Sequence, residues 1–561
     1  MGFNRAEALS RLAGEPFDVL VVGGGITGAG VALDAASRGL RTALVERHDF
    51  ASGTSSKSSK LVHGGLRYLQ QREYRLVYEG LAERQRLLRT APHLVHLLPF
   101  LMPMLSRGGL VHPRLVRGLS TILWLYDLTG GARIGRLHDR VGSEEVLARM
   151  PTLRPDRVVG GFVYYDARTD DARLTLAVAR TAADQGAALA NWCPVVSLTK
   201  DAGGRVTGAD VHPAGHPAAF PVRASVVVSA TGVWSDVLGT MDDEHHPDTL
   251  RPAKGIHISV PWAKVRNEVA VVLPVPEDRR SVFVVPYGDV TYVGTTDTDY
   301  DGPVDDPQCT PADVDYLLAA LNVSLTDPVT RDDVVGTWAG LRPLLRSAGR
   351  PRTTDLSRRH RIAVSESGVV SVTGGKLTTY RSMAADAVDE VVRALGRGGR
   401  SRTRRLRLHG AAGYHALLAD SEAPARLGVD PALLAHLADR HGADARVVAA
   451  MVARDPELGR PLVPSLPYVA GEAVHAVRYE MARTLDDVLS RRIPARWLAR
   501  DASAAAAEQV ARLVAPDLGW TEADIVREVS AYRASVEAER EAGGLGTVPD
   551  GLVAALPIAG R

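Results

Sequence analysis

Between a short apolar run, Asp18–Val22, and an alanine-rich stretch with helical spacing, Ile26–Arg38, the chain reads Gly23-Gly24-Gly25-Ile26-Thr27-Gly28. This G-x-G-x-x-G constrains the fold more than any other feature. It follows a predicted strand and opens a predicted helix that Gly39 ends as a C-cap. A second strand, Arg41–Glu46, then ends on an acid, near the spacing of about 20 residues that a dinucleotide fingerprint requires. Glycines at Gly23, Gly25 and Gly28 let the backbone approach a pyrophosphate, the helix N-terminus offers free N–H groups, and Glu46 can accept from ribose hydroxyls. A βαβ opening of this kind predicts a parallel sheet within an α/β domain. The fingerprint alone does not separate FAD from NAD.

The chain has 561 residues, too many for one core, so two or three domains are expected. Past the opening, strands and helices alternate: Phe162–Tyr165 and Arg223–Ser229 read as strands, Leu174–Gln185 as a helix. Ile256–Val293 reads as several strands broken by Pro, Gly and Asp turns, an antiparallel sheet inserted in the α/β domain. Val369–Thr373 is a further strand and Tyr380–Leu395 a further helix. Gly396–Arg405 is Gly-rich, basic and aperiodic, and so reads as a linker. Beyond it the chain has helical spacing, as in Ala504–Val514, with Ser503 as N-cap, and Glu522–Glu541. The expected architecture is a dinucleotide-binding Rossmann-like domain with an interleaved antiparallel-sheet substrate domain over residues 1–396, and an all-α C-terminal domain over 406–561.

Composition narrows the function. Lys+Arg 67 against Asp+Glu 65 gives a net charge of +2, which disfavours a nucleic-acid binder. The two cysteines, Cys193 and Cys309, form no C-x-x-C, and no zinc, iron–sulfur or disulfide framework is expected. Asp297-x-Asp299-x-Asp301-Gly302 begins like a calcium loop, but Gln308 stands where the bidentate Glu belongs and no helix precedes it. His93-x-x-His96 and His245-His246 lack companion ligands. No metal is therefore expected. Met1–Pro16 is mixed and charged, so no secretory signal is expected there, and a reducing, cytoplasmic setting fits. The most apolar long stretch, Leu94–Leu128, is broken by prolines and by Arg107, Arg114 and Arg117, and no spanning helix is expected.

Three further segments carry chemistry. Thr54-Ser55-Ser56-Lys57-Ser58-Ser59-Lys60-Leu61-Val62-His63-Gly64-Gly65-Leu66-Arg67-Tyr68-Leu69 supplies hydroxyls and glycine N–H groups for a flavin or phosphates. His63 adds a proton acceptor and Arg67 a fixed cation. Gly374-Gly375-Lys376-Leu377-Thr378-Thr379-Tyr380-Arg381 leads from a strand through a glycine turn into a helix, an anion-friendly geometry without the Walker spacing. Val226–Gly232 is a strand ending in Ala230-Thr231-Gly232, similar to the strand end near the pyrophosphate in flavoproteins, and this resemblance points to FAD. Lys376 is one of six lysines in the chain, which fits a point-charge role.

Taken together, Gly23–Gly28, HGGLRYL and GGKLTTYR resemble the FAD-dependent, aerobic glycerol-3-phosphate dehydrogenases. Lys254-Gly255-Ile256-His257, Gly294-Thr295-Thr296-Asp297, Ala339–Leu344 and Ala482–Asp487 extend the likeness over nearly the whole chain. The resemblance implies oxidation of sn-glycerol 3-phosphate to dihydroxyacetone phosphate, with hydride passing from C2 to flavin N5 and electrons to a membrane quinone. It implies that Arg67, Arg342 and Lys376 hold the substrate or its phosphate, with Arg358 as a further phosphate arginine. In the run Arg358-Arg359-His360-Arg361, Arg359 and Arg361 fit alternative alignments. Charge-assisted bonds suit so small a dianion. His63 is the first candidate for the base that takes the C2 hydroxyl proton, and His257 the second. Arg342 and Lys376 stabilise the developing alkoxide. FAD is expected against Gly23, Gly25, Gly28, Glu46, Thr54, Ser55, Ser59, His63, Gly64, Gly65, Ala230, Gly232, Gly374, Gly375, Lys376, Leu377 and Thr378.

A quinone acceptor without a spanning helix implies peripheral contact with the inner face of the cytoplasmic membrane, for which Leu94–Leu128 is the candidate surface. The C-terminal helices can serve either a homodimer contact or a cap on the FAD region. The rival readings are a glycerol-3-phosphate oxidase that reduces O2 to H2O2, a flavin amine oxidase, and a non-catalytic dinucleotide module.

Overall fold

The glycine turn after Val22 organises the first of two sheets. The computed structural model describes residues 2–70, 73–106, 113–131, 134–275, 280–346 and 359–548, with the backbone alone at 67, 70 and 113–117. Strand Phe17–Val22 is buried at every position, as a central strand covered on both faces must be. It pairs in parallel with Thr42–Val45 on one side and Phe220–Ser229 on the other. Val370–Thr373 and Ala188–Ala190 extend the sheet in parallel, and Arg361–Val364 adds an antiparallel edge. Helices Ile26–Ser37, Asp171–Asp184 and Tyr380–Leu395 bury their apolar stripes against it in one core. Gly39 follows the first helix with φ +85°, the left-handed stop expected of it.

The second sheet is mostly antiparallel and interleaved with the first along the chain, as expected. Leu250–Pro261 lies between Val290–Gly294 and Gly336–Leu345, and Ser281–Tyr287, Ala270–Pro274, Val95–Leu105 and Val158–Thr169 continue it. The apolar stretch 94–128 is neither a helix pair nor a continuous surface. Val95–Leu105 is a strand paired along its length with Val158–Thr169, and Pro113–Tyr126 is a helix. Arg107 lies outside the described residues, as do the side chains of Arg114 and Arg117.

Beyond the linker the described chain is helical. Its final helices do not stand apart: Ala507, Val510 and Val514 of helix Arg500–Leu518 share one core with Tyr292 and Trp338 of the second sheet. Tyr414, Leu437, Val448 and Val469 form a smaller core of their own. Ser503 is not an N-cap. The helix starts at Arg500, and Ser503 is buried inside it, donating to Arg500 O and meeting the Tyr532 hydroxyl at 2.9 Å. The helix begins four residues, about one turn, earlier than the polar signal implied.

Buried charge ties these helices to the first sheet. Asp49, fully buried after strand Thr42–Val45, accepts from Arg492 at 2.6 and 2.8 Å and from Arg491 at 2.8 Å. Burial raises its carboxyl pKa, but Arg492 and Arg491 more than offset this, and it ends below the ordinary range. Nearby, His441, His475 and Glu480 bring ligand-type atoms within 4.8 Å of one another. Arg173 stands 3.1 Å from His441 Nδ1 and 2.7 Å from Glu480. Arginine charge therefore engages two of the three ligand-type groups, while the ring nitrogens of His475 have no hydrogen-bond partner among the described residues. Asp49→Asn leaves two buried arginines short of their counter-charge. It is expected to lower unfolding stability by about 3 kcal/mol or more, measurable as a fall in thermal midpoint; an unchanged midpoint would show that the pair is dispensable.

Candidate functional site

A cavity of about 390 Å³ is lined by residues of both sheets. Its first end is the glycine turn. Gly23 has φ +110°, and a Cβ there would come within 2.6 Å of Ala230 O, so only glycine lets the two strand ends meet. Gly25 sits at the N-terminus of helix Ile26–Ser37 and faces the cavity. Glu46 accepts from Gly24 N–H at 2.6 Å and from His48 N–H at 2.8 Å, so it braces the turn as well as bordering the cavity, and burial raises its pKa. Gly28 stands behind the wall. A Cβ there would meet Gly23 O at 1.9 Å, so its role is close packing of helix on turn.

The hydroxyl-rich loop crosses from the first sheet to the second. Ser55 Oγ accepts from Ile26 N–H at 2.9 Å, and Thr54 donates to Leu341 O at 2.6 Å on the second sheet. Lys60 and Ser58 both donate to the buried Asp171 at 2.7 Å. Further on, Gly64 N–H lies 3.1 Å from the Tyr126 hydroxyl and 3.3 Å from Asp166, which also accepts from Arg84 at 2.7 Å. Gly64 is thus held by the core, and neither it nor Gly65 reaches the cavity wall, whereas His63 does.

The far end of the cavity is built on one face of the second sheet. His257 lies opposite Trp338, Gly255 opposite Gly340, and Ala253 opposite Arg342. Residues opposite one another point the same way, so His257, Trp338 and Arg342 share a face with two glycines between them. A Cβ at Gly255 would meet Arg342 Nη2 at 2.5 Å, and one at Gly340 would meet Lys57 O at 2.3 Å. The glycines therefore clear a floor. Arg342 is aimed by Asp297 at 3.2 Å, with Thr295 Oγ1 and Thr296 O each accepting at 3.2 Å. His257 is held well below the ordinary imidazole range by burial first, then by Arg342 and Lys60. Across the cavity, Gly374 and Gly375 take φ +74° and +87°, and deliver Lys376 to the wall with its Nζ 3.7 Å over the Tyr68 ring.

Thus Gly23, Gly25, Glu46, Thr54, Ser55, Ser59, His63, Ala230, Gly232, Gly374, Gly375, Lys376, Leu377, Thr378, His257 and Arg342 line one cavity. Arg67 begins the short helix Arg67–Gln70, its side chain outside the description, and Arg358 lies outside the described residues. Sequence reasoning missed Lys57, Tyr68, Cys193, Val195 and Trp234 on the wall. It also missed Asp305, which accepts from Trp234 Nε1 at 2.8 Å and pairs with Arg47, while Arg47 stacks on Trp234 at 4.5 Å. Only the position of Arg47 directly after Glu46 was a usable signal. A glycine cradle at a helix N-terminus, followed by a cleft with basic groups at its far end, suits a long dinucleotide whose reactive ring lies on the glycine floor.

A family model described as FAD dependent oxidoreductase matches residues 18–381, and one described as the C-terminal domain of alpha-glycerophosphate oxidase matches 401–525. Glycerol-3-phosphate dehydrogenase 2 of Mycobacterium tuberculosis is 44% identical over 538 residues, covering 95% of this chain and 90% of that protein. The crystal structure of the glycerol-3-phosphate dehydrogenase from Bacillus halodurans complexed with FAD superposes with a TM-score of 0.77 at 32% identity, over 96% of this chain and 97% of the other. L-alpha-glycerophosphate oxidase from Mycoplasma pneumoniae, at 18% identity and a TM-score of 0.52 over 69% and 97%, shares the fold.

Gly28→Ala overpacks the helix against the turn, at a cost of about 1–3 kcal/mol. It is expected to lower the flavin retained per mole of protein, read as visible absorbance after gel filtration; full retention would show that the helix can shift without spoiling the cradle.

Proposed function

The chain belongs to the family of FAD-dependent glycerol-3-phosphate dehydrogenases, and on that footing we propose that it oxidises sn-glycerol 3-phosphate at C2 to dihydroxyacetone phosphate. FAD is its cofactor. The observation that carries the reading is that Arg342, Lys376, His257 and His63 all line the cavity that the glycine turn opens. The functional organisation we propose is an oxidoreductase region over 1–396 and a helical region over 406–561.

The substrate is a dianion with little apolar surface, so its affinity must come from charge-assisted bonds. Lys376 and Arg342 supply two cations, and Asp297 neutralises part of the Arg342 charge while fixing its direction. We assign Arg67 and Arg358 to the phosphate. FAD, when bound, supplies the two-electron acceptor for the hydride leaving C2. The hydroxyl proton needs an acceptor, and Arg342 and Lys376 acidify that hydroxyl by stabilising the alkoxide. Of the two histidines we assign this role to His257, which is buried on the cavity wall and lies 2.8 Å from Ser59 Oγ. This reverses the order expected from sequence, and leaves half-buried His63 as a wall against the flavin. Glu46, Ser55 and the glycine turns are assigned to the cofactor.

Anaerobic mixing of the holoenzyme with glycerol 3-phosphate is expected to bleach the oxidised flavin band. Arg342→Ala or Lys376→Ala should raise the substrate concentration needed by about 10- to 100-fold, the worth of one hydrogen bond to a charged group. Unchanged bleaching in either variant removes that residue from the site.

For the electrons leaving the flavin we propose a quinone, reached by peripheral attachment to an anionic lipid surface. Among the described residues, no helix is long and apolar enough to cross a membrane. Trp124, Leu125 and Leu128 are nonetheless exposed at the end of helix Pro113–Tyr126, and Leu137 is exposed next to His138, whose ring meets Trp124 with centroids 5.1 Å apart. Reduced enzyme should reoxidise faster on anionic vesicles containing quinone than in aerated buffer, and Trp124→Asp with Leu128→Asp should abolish the vesicle advantage without changing the bleaching. Peroxide released in step with substrate would instead favour the oxidase reading.

A further inference from the structure

His257 is clamped from both sides by the sheet that carries it. On one side is Trp338, its directly opposed partner, whose ring lies parallel at 5° with centroids 4.6 Å apart. On the other is Gly294, where a Cβ would meet His257 Cδ2 at 2.1 Å, so any larger residue would push the imidazole off its place. Three hydrogen bonds complete the set. His257 Nε2 lies 2.8 Å from Ser59 Oγ, Trp338 Nε1–H donates to Ser58 O at 3.0 Å, and the Tyr292 hydroxyl donates to Ser59 O at 2.9 Å. The same tryptophan thus holds the imidazole by its face and the segment carrying its hydrogen-bond partner by its edge.

Trp338 is itself backed from the C-terminal helical region. Trp497, in the short helix Ala495–Leu498, packs on Trp338 with centroids 5.1 Å apart and on Tyr292 at 6.2 Å. Lys60 Nζ lies 5.3 Å from the Trp338 ring and 5.0 Å from the Trp497 ring, bonded to Asp171. The flat stack leaves no room for water on that face of the imidazole. His257 Nδ1 has no hydrogen-bond partner among the described residues.

We infer that Trp338, backed by Trp497, is a positioning residue for substrate oxidation: it fixes the plane of the His257 imidazole and holds it against Ser59. The inference rests on the proposed glycerol 3-phosphate reaction and gives the C-terminal helices a part in it. Trp338 makes no bond to substrate; it acts through His257. Ordering one ring and excluding water are what general-base catalysis by a weakly basic imidazole requires. The groups that face His257 are Arg342 from strand Gly336–Leu345, Lys60 with its partner Asp171, Ser59 from the loop, and Tyr292 from strand Val290–Gly294. Burial is the main reason the imidazole is held below its ordinary range, with both cations adding to it, so exposing that face to water is expected to raise its pKa.

The test follows anaerobic flavin reduction by glycerol 3-phosphate in the wild-type holoenzyme and in Trp338→Leu, Trp338→Phe and Trp497→Leu across pH. If wild-type flavin is not reduced, the proposed reaction itself fails, whatever the variants do. With wild-type reduction established, Trp338→Leu should slow the step about 10-fold or more while KM changes by less than about 2-fold, the signature of an interaction needed for chemistry and not for binding. Its activity should also fall on the acid side at higher pH than in the wild type, moving toward the ordinary imidazole value of about 6.5. Trp338→Phe keeps a flat ring and should recover most of the rate, and Trp497→Leu should move the acid limb in the same direction by a smaller amount. Wild-type rate and acid limb in flavin-replete Trp338→Leu overturn the inference. So does a rate loss that only tracks flavin loss with an unmoved limb. If Trp338→Leu does not hold FAD, the other two variants decide, and it is overturned if both keep the wild-type limb.

Discussion

The site depends on how closely one loop can lie on one sheet. The segment around Lys57 crosses from the glycine turn of the first sheet and rests on the second, so near that a Cβ at Gly340 would stand 2.3 Å from Lys57 O. Thr54 closes the contact by donating to Leu341 O, the residue next to that glycine, and Ser59 closes it at the far end by meeting His257. Without this approach the pyrophosphate cradle and the basic end of the cavity would belong to two separate sheets. With it, they are the two ends of one cleft.

Buried ion pairs hold the loop's surroundings in register. Lys60 with Asp171, Arg84 with Asp166, and Arg492 with Asp49 are all almost fully withdrawn from water. Such pairs gain little net stability over apolar packing, because desolvation consumes most of the attraction, yet breaking one strands a charge. Each also joins segments distant in the chain: loop to helix, helix to strand, and C-terminal region to the end of the second strand. They are best understood as fixing one arrangement of elements against others of similar hydrophobic burial.

At the reacting end, positive charge and a neutral base must coexist. On the proposed reading Arg342 and Lys376 attract a dianion, while burial first, and then the charges of Arg342 and Lys60, hold His257 well below the ordinary imidazole range. Arg342 is the cation common to both, so in the proposed reaction one group would bind the substrate, acidify its hydroxyl and help keep the proton acceptor free. Asp297 limits the cost of placing Arg342 there, and the Tyr68 ring offers its negative face to Lys376 at 3.7 Å.

Features carried by neighbouring residues were legible in the chain itself. The strand–glycine–helix opening, Glu46 at the end of the next strand, the Gly374–Gly375 turn and the helical run after the linker all follow from local hydrogen bonding and short-range periodicity. The coarse architecture and part of the cavity wall were therefore readable. Other features were not. The apolar run from Val95 is a strand because Val158–Thr169 pairs with it, and nothing within the run says so. Gly28, Gly64 and Gly65 look like ligand glycines but answer to packing behind the wall, against Gly23 O, the Leu81 and Tyr126 side chains, and the Tyr68 ring. The clamp of Trp338 on His257 and the reach of Trp497 to it exist only once strands and helices from separate parts of the chain are laid side by side. Sequence alone determined which segments could fold locally and which residue types could meet a phosphate or a flavin. Tertiary structure decided which of them share a face, because strand pairing and desolvation act between residues that the chain does not place together.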